Sequence, residues 1–268
     1  MLDKPDDGSR GRPEVMRGEL RNILLRSLPA GTVRWGHKVD RVRSMGEGQH
    51  EVTFGDGAHI VTNLLVGADG AWSKTKPLLS DAAPEYTGMS LVETYLYHSD
   101  ARFLATAKVV GSGALFALQP GKGIQAHREV NATLHTYVML TKSQSWFASI
   151  DFNDRAGAAA CIAQQFACWS PNLTALITES DTEMVWRPLF TLQVEHSWNR
   201  VPGVTLIGDA AHLSIPNGEG ANLALYDGAE LGMAIASRPD HLETALHEYE
   251  LAMFQRSARE AAEGNEMH

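Results

Sequence analysis

Hydrophobic positions along the chain switch between a period near 3.6 and a period of two, and each switch marks a change of element. From about Glu14, Met16, Leu20, Ile23, Leu24 and Leu28 recur at helical spacing. Alternation follows at Thr32 to Trp35, Lys38 to Arg43, His50 to Phe54 and His59 to Thr62, separated by glycine-rich turns, which predicts a small antiparallel meander. Leu64 to Val66 and Val204 to Ile207 are short apolar runs that end in Gly67 and Gly208, the pattern of buried strands in a parallel sheet. Between Gly88 and Thr141 the period is two, through Leu91, Glu93, Tyr95 and Tyr97, Leu115 to Leu118, Ile124 to His127 and Leu134 to Leu140. That run predicts antiparallel strands with no helix between them. Helical spacing returns at Asp154 to Trp169, and Pro171 opens a further helix to about Glu179. Met184 to Gln193 reads as a strand, and Asn217 to Ile235 and Leu242 to Ala262 as helices.

This order predicts an α/β fold in which a nucleotide-binding domain is interrupted by a substrate domain built on an antiparallel sheet. The expected division is 1–86, 87–193 and 194–268, the first and last segments forming one domain. With 268 residues, 44% hydrophobic and 21% charged, the chain can bury a substantial core. A net charge of -9 without clustered Lys/Arg argues against nucleic acid and anionic membranes as partners. Cys161 and Cys168 lie about 10 Å apart along a helix, too far to bridge, so a reduced, cytoplasmic protein is expected. Met1 to Pro13 is polar and expected to be loose, and no stretch reaches the length of a membrane span.

The chemistry concentrates where strands end. Gly208-Asp209-Ala210-Ala211-His212 places a carboxylate at the C-terminal edge of a strand, where ligands of open α/β sheets bind. Pro216, Gly218, Gly220, Ala221 and Asn222 then form a turn and a helix start whose missing Cβ atoms and free N–H groups suit a flat, partly anionic ligand. Gly67-Ala68-Asp69-Gly70 repeats the strand, glycine and acid order. Arg17 and Arg21 stand one turn apart on a helix and could grip a diphosphate or remain a solvated edge. Glu93, Gln119 and His127 are strand polars that either face a substrate or are ordinary sheet residues. Gly121-Lys122-Gly123-Ile124-Gln125-Ala126 has the spacing of a dinucleotide fingerprint, but a strand follows it rather than a helix, so a hairpin turn accounts for both glycines. His241 and His247 are scattered, and no metal-ligand pair is evident.

The two strand-end segments resemble the flavin-binding motifs of the FAD-dependent aromatic hydroxylases, the group A flavoprotein monooxygenases. Arg12 to Leu28 resembles that family's arginine-bearing helix, although Lys76 stands where the Asp-Gly motif usually ends in arginine. Within the family, Arg12 to Leu28, Gly31 to Lys38, Ile207 to Asn222 and Tyr249 to Phe254 are most similar to the tetracycline-inactivating enzymes. The resemblance implies a para-hydroxybenzoate-hydroxylase-like fold, FAD and NAD(P)H as cofactors, and dioxygen supplying one oxygen atom to a small aromatic or polycyclic substrate. It implies a monomer, and antibiotic resistance if the substrate is tetracycline. Asp209 and Gly208 would then lie at the ribityl chain, and Pro216, Gly218, Gly220, Ala221 and Asn222 at the flavin ring. Asp69 would serve FAD and nicotinamide, and Arg17 and Arg21 the ribityl or diphosphate oxygens. His212 is expected to be structural, and no protein nucleophile is expected, because the cofactor performs the hard step. A flavin halogenase would add a Trp-x-Trp-x-Ile segment, which is not found. A non-catalytic remnant remains a rival, because the family's Gly-x-Gly-x-x-Gly unit of about 30 residues cannot fit into Met1 to Pro13. The expectation is a chain that covers part of the family fold and is inactive alone.

Overall fold

The computed structural model describes residues 15–266. The loose segment expected at Met1 to Pro13, and a helix start at Glu14, fall outside that range. The first helix, α1 (Arg17–Ser27), buries none of its side chains, and Ile23 and Leu24 are exposed. It leads into a three-stranded antiparallel meander, β1 (Val39–Gly46), β2 (Gln49–Phe54) and β3 (His59–Thr62), paired in that order. The strand expected at Thr32 to Trp35 does not form. Gly31 and Gly36 flank it at φ of 81° and 80°, in the left-handed region where the chain turns instead of extending.

After β4 (Leu65–Gly67), β5 (Glu85–Leu96) enters a second sheet. Contrary to the uninterrupted run of strands expected there, two short helices follow, α2 (Ser99–Arg102) and α3 (Leu104–Val110). Thr106, Ala107 and Val110 of α3 are buried at helical spacing, while the adjacent Val109 and Val110 give the segment the composition of a strand. Then come β6 (Ala114–Gln119), β7 (Lys122–Glu129), β8 (Thr133–Thr141), α4 (Gln144–Ala148), α5 (Arg155–Gln164), α6 (Pro171–Thr178) and β9 (Val185–Thr191). Helix α5 ends at Gln164, short of the expected Trp169, because Phe166 and Trp169 turn inward against each other. The Pro120-Gly121 turn between β6 and β7 is a hairpin, with Gln119 paired to Lys122 and Gly121 at φ 78°, so the dinucleotide-like spacing there belongs to a turn.

The five strands run in the order β6-β7-β8-β5-β9, all antiparallel. Strand alternation sorts their side chains onto two faces. Val92, Leu96, Ile124, Ala126, Leu134 and Val138 point to one face and form a core with Val110, Ile162, Leu176 and Ile177 from the covering helices. Glu93, His127, His135, Tyr137 and Arg187 sit at the alternate positions and share hydrogen bonds on the opposite face.

The chain returns through β10 (Val204–Leu206), which pairs in parallel with β4, Val204 facing Leu65 and Leu206 facing Gly67. Helices α7 (Asp209–His212), α8 (Gly220–Ser237) and α9 (Leu242–Glu266) complete the structure. A second core gathers Trp198, Leu206, Ala210, Leu231, Leu246 and Met253 around this pair. Among the described residues no helix is long and apolar enough to cross a membrane, and both cysteines are free thiols.

The meander is seated on this unit through Gly203, at φ +73°, where a Cβ would be driven into the Gly48 carbonyl and lie 2.8 Å from that of Asn63. His50 adds a ring-nitrogen contact of 3.0 Å to the Pro202 carbonyl. Gly203→Ala is therefore expected to lower stability by at least ~2 kcal/mol, through backbone strain and separation of the two sheets. A urea midpoint equal to that of the parent protein would show the seat to be compliant.

Candidate functional site

Strand β10 is wholly buried and ends at Gly208, whose φ of 58° turns the chain sharply into α7. A Cβ at Gly208 would meet the Ala224 Cβ at 3.1 Å, so this turn lies tight against α8. Asp209, the first residue of α7, projects outward, and no side-chain hydrogen bond or ion pair engages its carboxylate among the described residues. Pro216, Gly218, Gly220, Ala221 and Asn222 are all exposed on the loop and first turn leading into α8. Nothing lies within 4 Å of where a Cβ would sit on Gly218 or Gly220. The Glu219 side chain does not cap the helix; its carboxylate accepts from Asn222 Nδ2 at 2.9 Å. The first N–H groups of α8 are therefore not satisfied by that cap.

The underside of the turn is as fully bonded as its outer side is open. Asp227, with 0% exposure, takes the Gly208 N–H at 3.0 Å and the His212 Nε2 at 2.5 Å on one oxygen. Its other oxygen takes Arg256 Nη2 from α9 at 2.8 Å. Burial opposes ionisation of Asp227, but His212, Arg256 and the Gly208 amide together outweigh it and hold its pKa below the ordinary value. His212, expected to be structural, thus has an acid partner that the motif alone did not reveal. A second buried carboxylate, Glu250, braces the far side of β10. One of its oxygens accepts from Trp198 Nε1 at 3.1 Å, Arg200 Nη1 at 2.6 Å and Thr205 Oγ1 at 2.8 Å. Burial raises the Glu250 pKa against the pull of these donors. His196 backs α7, with Nδ1 2.7 Å from the Ala211 carbonyl, and burial lowers its pKa.

At the end of β4, Asp69 is occupied within its own turn. It accepts from Ser73 Oγ and from the Lys74 N–H, both at 2.6 Å. Lys76 folds underneath, 3% exposed, with Nζ 3.3 Å from the Ala71 carbonyl; burial lowers its pKa while Asp69 opposes the change. Arg17 and Arg21 are exposed on α1, and the Arg21 guanidinium lies 5.3 Å from the Trp35 ring centroid. The Tyr137 phenol is pushed upward by burial and by Glu93, against a smaller opposing pull from Arg187.

That face carries a continuous polar network. Glu93 accepts from His135 Nε2 at 2.7 Å, Tyr95 at 3.1 Å and Tyr137 at 3.4 Å on one oxygen, and from Arg187 Nε at 2.5 Å on the other. Burial works against the Glu93 charge, yet Arg187, His135 and Tyr95 hold its pKa below the ordinary value. His127 and His135 both approach one oxygen of Glu129, at 3.2 and 3.0 Å. Two of the three sequence-predicted substrate residues, Glu93 and His127, are therefore brought into one network. Gln119 is not, since it accepts from Trp169 Nε1 at 3.3 Å at the hairpin end of the sheet. There it borders an open hollow of about 380 Å³ lined by Met89, Leu118, Lys122, Met139 and Thr141, a volume suited to a small organic molecule. Met139 shares a face of β8 with His135 four residues, about 13 Å, away, whereas Gln119 and Lys122 pair in register with the core residue Leu140.

Sequence reasoning missed Asp227, Arg256, Glu129, His135 and Arg187. Asp227 did leave a signal, as one of only two charged residues within the otherwise apolar α8.

Comparison with known proteins follows the same outline. The FAD binding domain family matches residues 18–250. Monooxygenase penA of Penicillium thymicola is 27% identical over 270 residues, covering 84% of this chain and 62% of its own length. The structure of Klebsiella pneumoniae HpxO complexed with FAD and uric acid shares the fold at a TM-score of 0.74 and 21% identity, covering 94% of this chain and 62% of that one. The tetracycline destructase Tet(51) shares it at a TM-score of 0.59 and 16% identity, covering 86% of this chain and 61% of that one. The chain thus spans less than two thirds of each of these proteins.

Asp227→Asn is expected to cost about 3 kcal/mol near neutral pH, the order of breaking a buried ion pair. Because the folded pKa of Asp227 lies below the unfolded value of about 3.9, its contribution is fully present above that value and is lost as pH falls through the folded one. Urea midpoints of parent and variant, measured from about pH 7 downward, should converge only below about pH 4. A gap that stays constant through that range would remove the ionised carboxylate as its cause.

Proposed function

The chain belongs to the FAD binding domain family, that of the flavin-dependent aromatic monooxygenases, and on that premise we propose that it serves to hydroxylate a small aromatic or polycyclic molecule, tetracycline-like rings among them. FAD is the cofactor in this reading, and NAD(P)H and dioxygen are the co-substrates. The observation that carries it is the contrast at Gly208-Asp209: a turn locked from beneath by Asp227 presents an unengaged carboxylate and bare glycine backbone above.

These residues fit a flavin. The Asp209 carboxylate is placed to accept a hydroxyl of a sugar-like chain, as acids at strand ends do. Open space beside Gly218 and Gly220 admits a flat ring against the backbone, and the N-terminus of α8, with Ala221 and Asn222 in its first turn, favours partial negative charge there. Pro216 shapes the approach to that turn. Arg17 and Arg21 reach phosphate or ribityl oxygens in this reading, and Asp69 holds the neighbouring turn through Ser73 and Lys74 rather than touching ligand first. Bound FAD would supply electron transfer and activation of dioxygen, the protein's share being orientation, exclusion of water and charge.

The open sheet face is the substrate side of the proposal. Glu93, held by Arg187 and His135, offers a fixed acceptor, His127 borders it, and the hollow near Gln119 offers apolar surface for a ring. The two separate hydrophobic cores support the division into 1–86 with 194–268 and an intervening 87–193. A monomeric, cytoplasmic protein completes the reading, the two free thiols being what a reducing compartment favours.

The test is flavin retention. In flavin-loaded protein, Asp209→Ala should weaken FAD binding about tenfold, the loss of one charge-assisted hydrogen bond. Equal flavin retention by the variant would remove Asp209 from the site, and failure to bind FAD by this chain joined to a Gly-x-Gly-x-x-Gly nucleotide unit would overturn the proposed function.

A further inference from the structure

We propose that His127, Glu129 and His135 form a binding site for one divalent transition-metal ion of the zinc class on the open face of the five-stranded sheet. The proposal does not depend on flavin binding, and it gives His127 and Glu93, which the monooxygenase reading sets on the substrate side, a role beyond that reading. Its basis is register. His127 on β7 and His135 on β8 are directly opposed across the antiparallel pair, and Glu129 stands two residues beyond His127, hence on the same face. Their potential ligand atoms all lie within 4.8 Å of one another. Two ligands of a tetrahedral zinc ion at ~2.1 Å are separated by roughly 3.4 Å, so the set needs only a modest contraction. His127 can supply it by side-chain rotation, because its side chain is 34% exposed, whereas that of His135 is 9% exposed.

The donor set selects the metal. Two imidazoles and one carboxylate suit zinc, cobalt and nickel, whereas calcium and magnesium prefer all-oxygen shells. Three protein ligands leave a further position for water or for an oxygen donor of a bound small molecule.

A second observation separates this set from a chance meeting of polar side chains. A metal-binding histidine characteristically gives its other ring nitrogen to a carboxylate, which fixes the ring and strengthens the ligand. His135 has that arrangement already: Nδ1 faces Glu129 at 3.0 Å, while Nε2 lies 2.7 Å from Glu93. Glu93 is itself fixed by Arg187, Tyr95 and Tyr137. The His135 ring is further clamped by Tyr95, stacked at 4.1 Å between centroids, and by Tyr137 at 4.6 Å. In this arrangement Glu93 is a positioning residue, and His127, Glu129 and His135 are the ligands.

The experiment uses purified protein stripped with a chelator and dialysed, titrated with Zn²⁺ by calorimetry and with Co²⁺ by visible absorption. One equivalent of Zn²⁺ should bind, and Co²⁺ should develop the intense ligand-field absorption of a four-coordinate site. His127→Gln and Glu129→Gln should each abolish the cobalt spectrum. Glu93→Gln should retain the spectrum but weaken binding by about 10–100-fold, the usual effect of losing such a partner. His241→Gln/His247→Gln, on the exposed surface of the C-terminal region, should change nothing. His127 is partly exposed, so its replacement should leave the fold intact, as thermal unfolding followed by circular dichroism would verify. Absence of saturable Zn²⁺ uptake by the parent protein would overturn the proposal, as would one-equivalent binding that survives His127→Gln in a folded variant.

Discussion

The fully buried carboxylate of Asp227 is the interaction on which the nucleotide-side half of this protein depends. It joins the turn after β10, the short helix α7, the long helix α8 and, through Arg256, the C-terminal helix α9. An isolated charge in such a place would be too costly to keep. Three donors converging on one carboxylate turn that cost into a geometric requirement, since displacement of any of the four elements leaves a buried charge short of a partner. Glu250 acts similarly on the other side of β10, joining α9 to Trp198, Arg200 and Thr205. The two-stranded parallel pair is too small to be rigid by itself; it is held by carboxylates contributed from helices packed against it.

The large sheet solves a different problem. One face is sealed by helices over an apolar core, so strand alternation commits every other residue to the opposite side. On that side, His135 alone contacts two carboxylates and two tyrosine rings. Such density of polar groups is sustained because each has partners. It also means that whatever binds there meets an ordered array of donors and acceptors rather than an adaptable surface.

Much of this was legible from the order of residues, and the reasons differ from place to place. The strand-glycine-acid segments at Gly67-Asp69 and Gly208-Asp209 are short-range patterns whose meaning is local, and they fold as their sequence suggests. So does the hairpin at Pro120-Gly121, where the absence of a following helix decided between turn and fingerprint. Helix α3 was not legible, because its β-branched valines carry the composition of a strand and only the covering core makes it helical. Nor was the stretch at Thr32 to Trp35, where Gly31 and Gly36 turn the chain and no strand pairs with it among the described residues. The Asp227 cluster depends on contacts between α8 and α9 that periodicity does not specify, although an acid among the mostly apolar residues of α8 was a sign. The grouping of His127, Glu129 and His135 required the register of β7 against β8, and a shift of one residue would have sent those side chains into the core.

The parallel pairing of β4 with β10 has a consequence for how the chain comes to be folded. The entire antiparallel sheet lies between these two strands in sequence, so joining them across an unfolded insert would close a very long loop before any local contact rewards it. Once that sheet has folded, its entry strand β5 and exit strand β9 are hydrogen-bonded neighbours, and only the connections 68–84 and 192–203 remain to be closed. The antiparallel sheet therefore acts as an internal scaffold in time as well as in space. The turn bearing Asp209 is expected to be among the last parts of the molecule to mature.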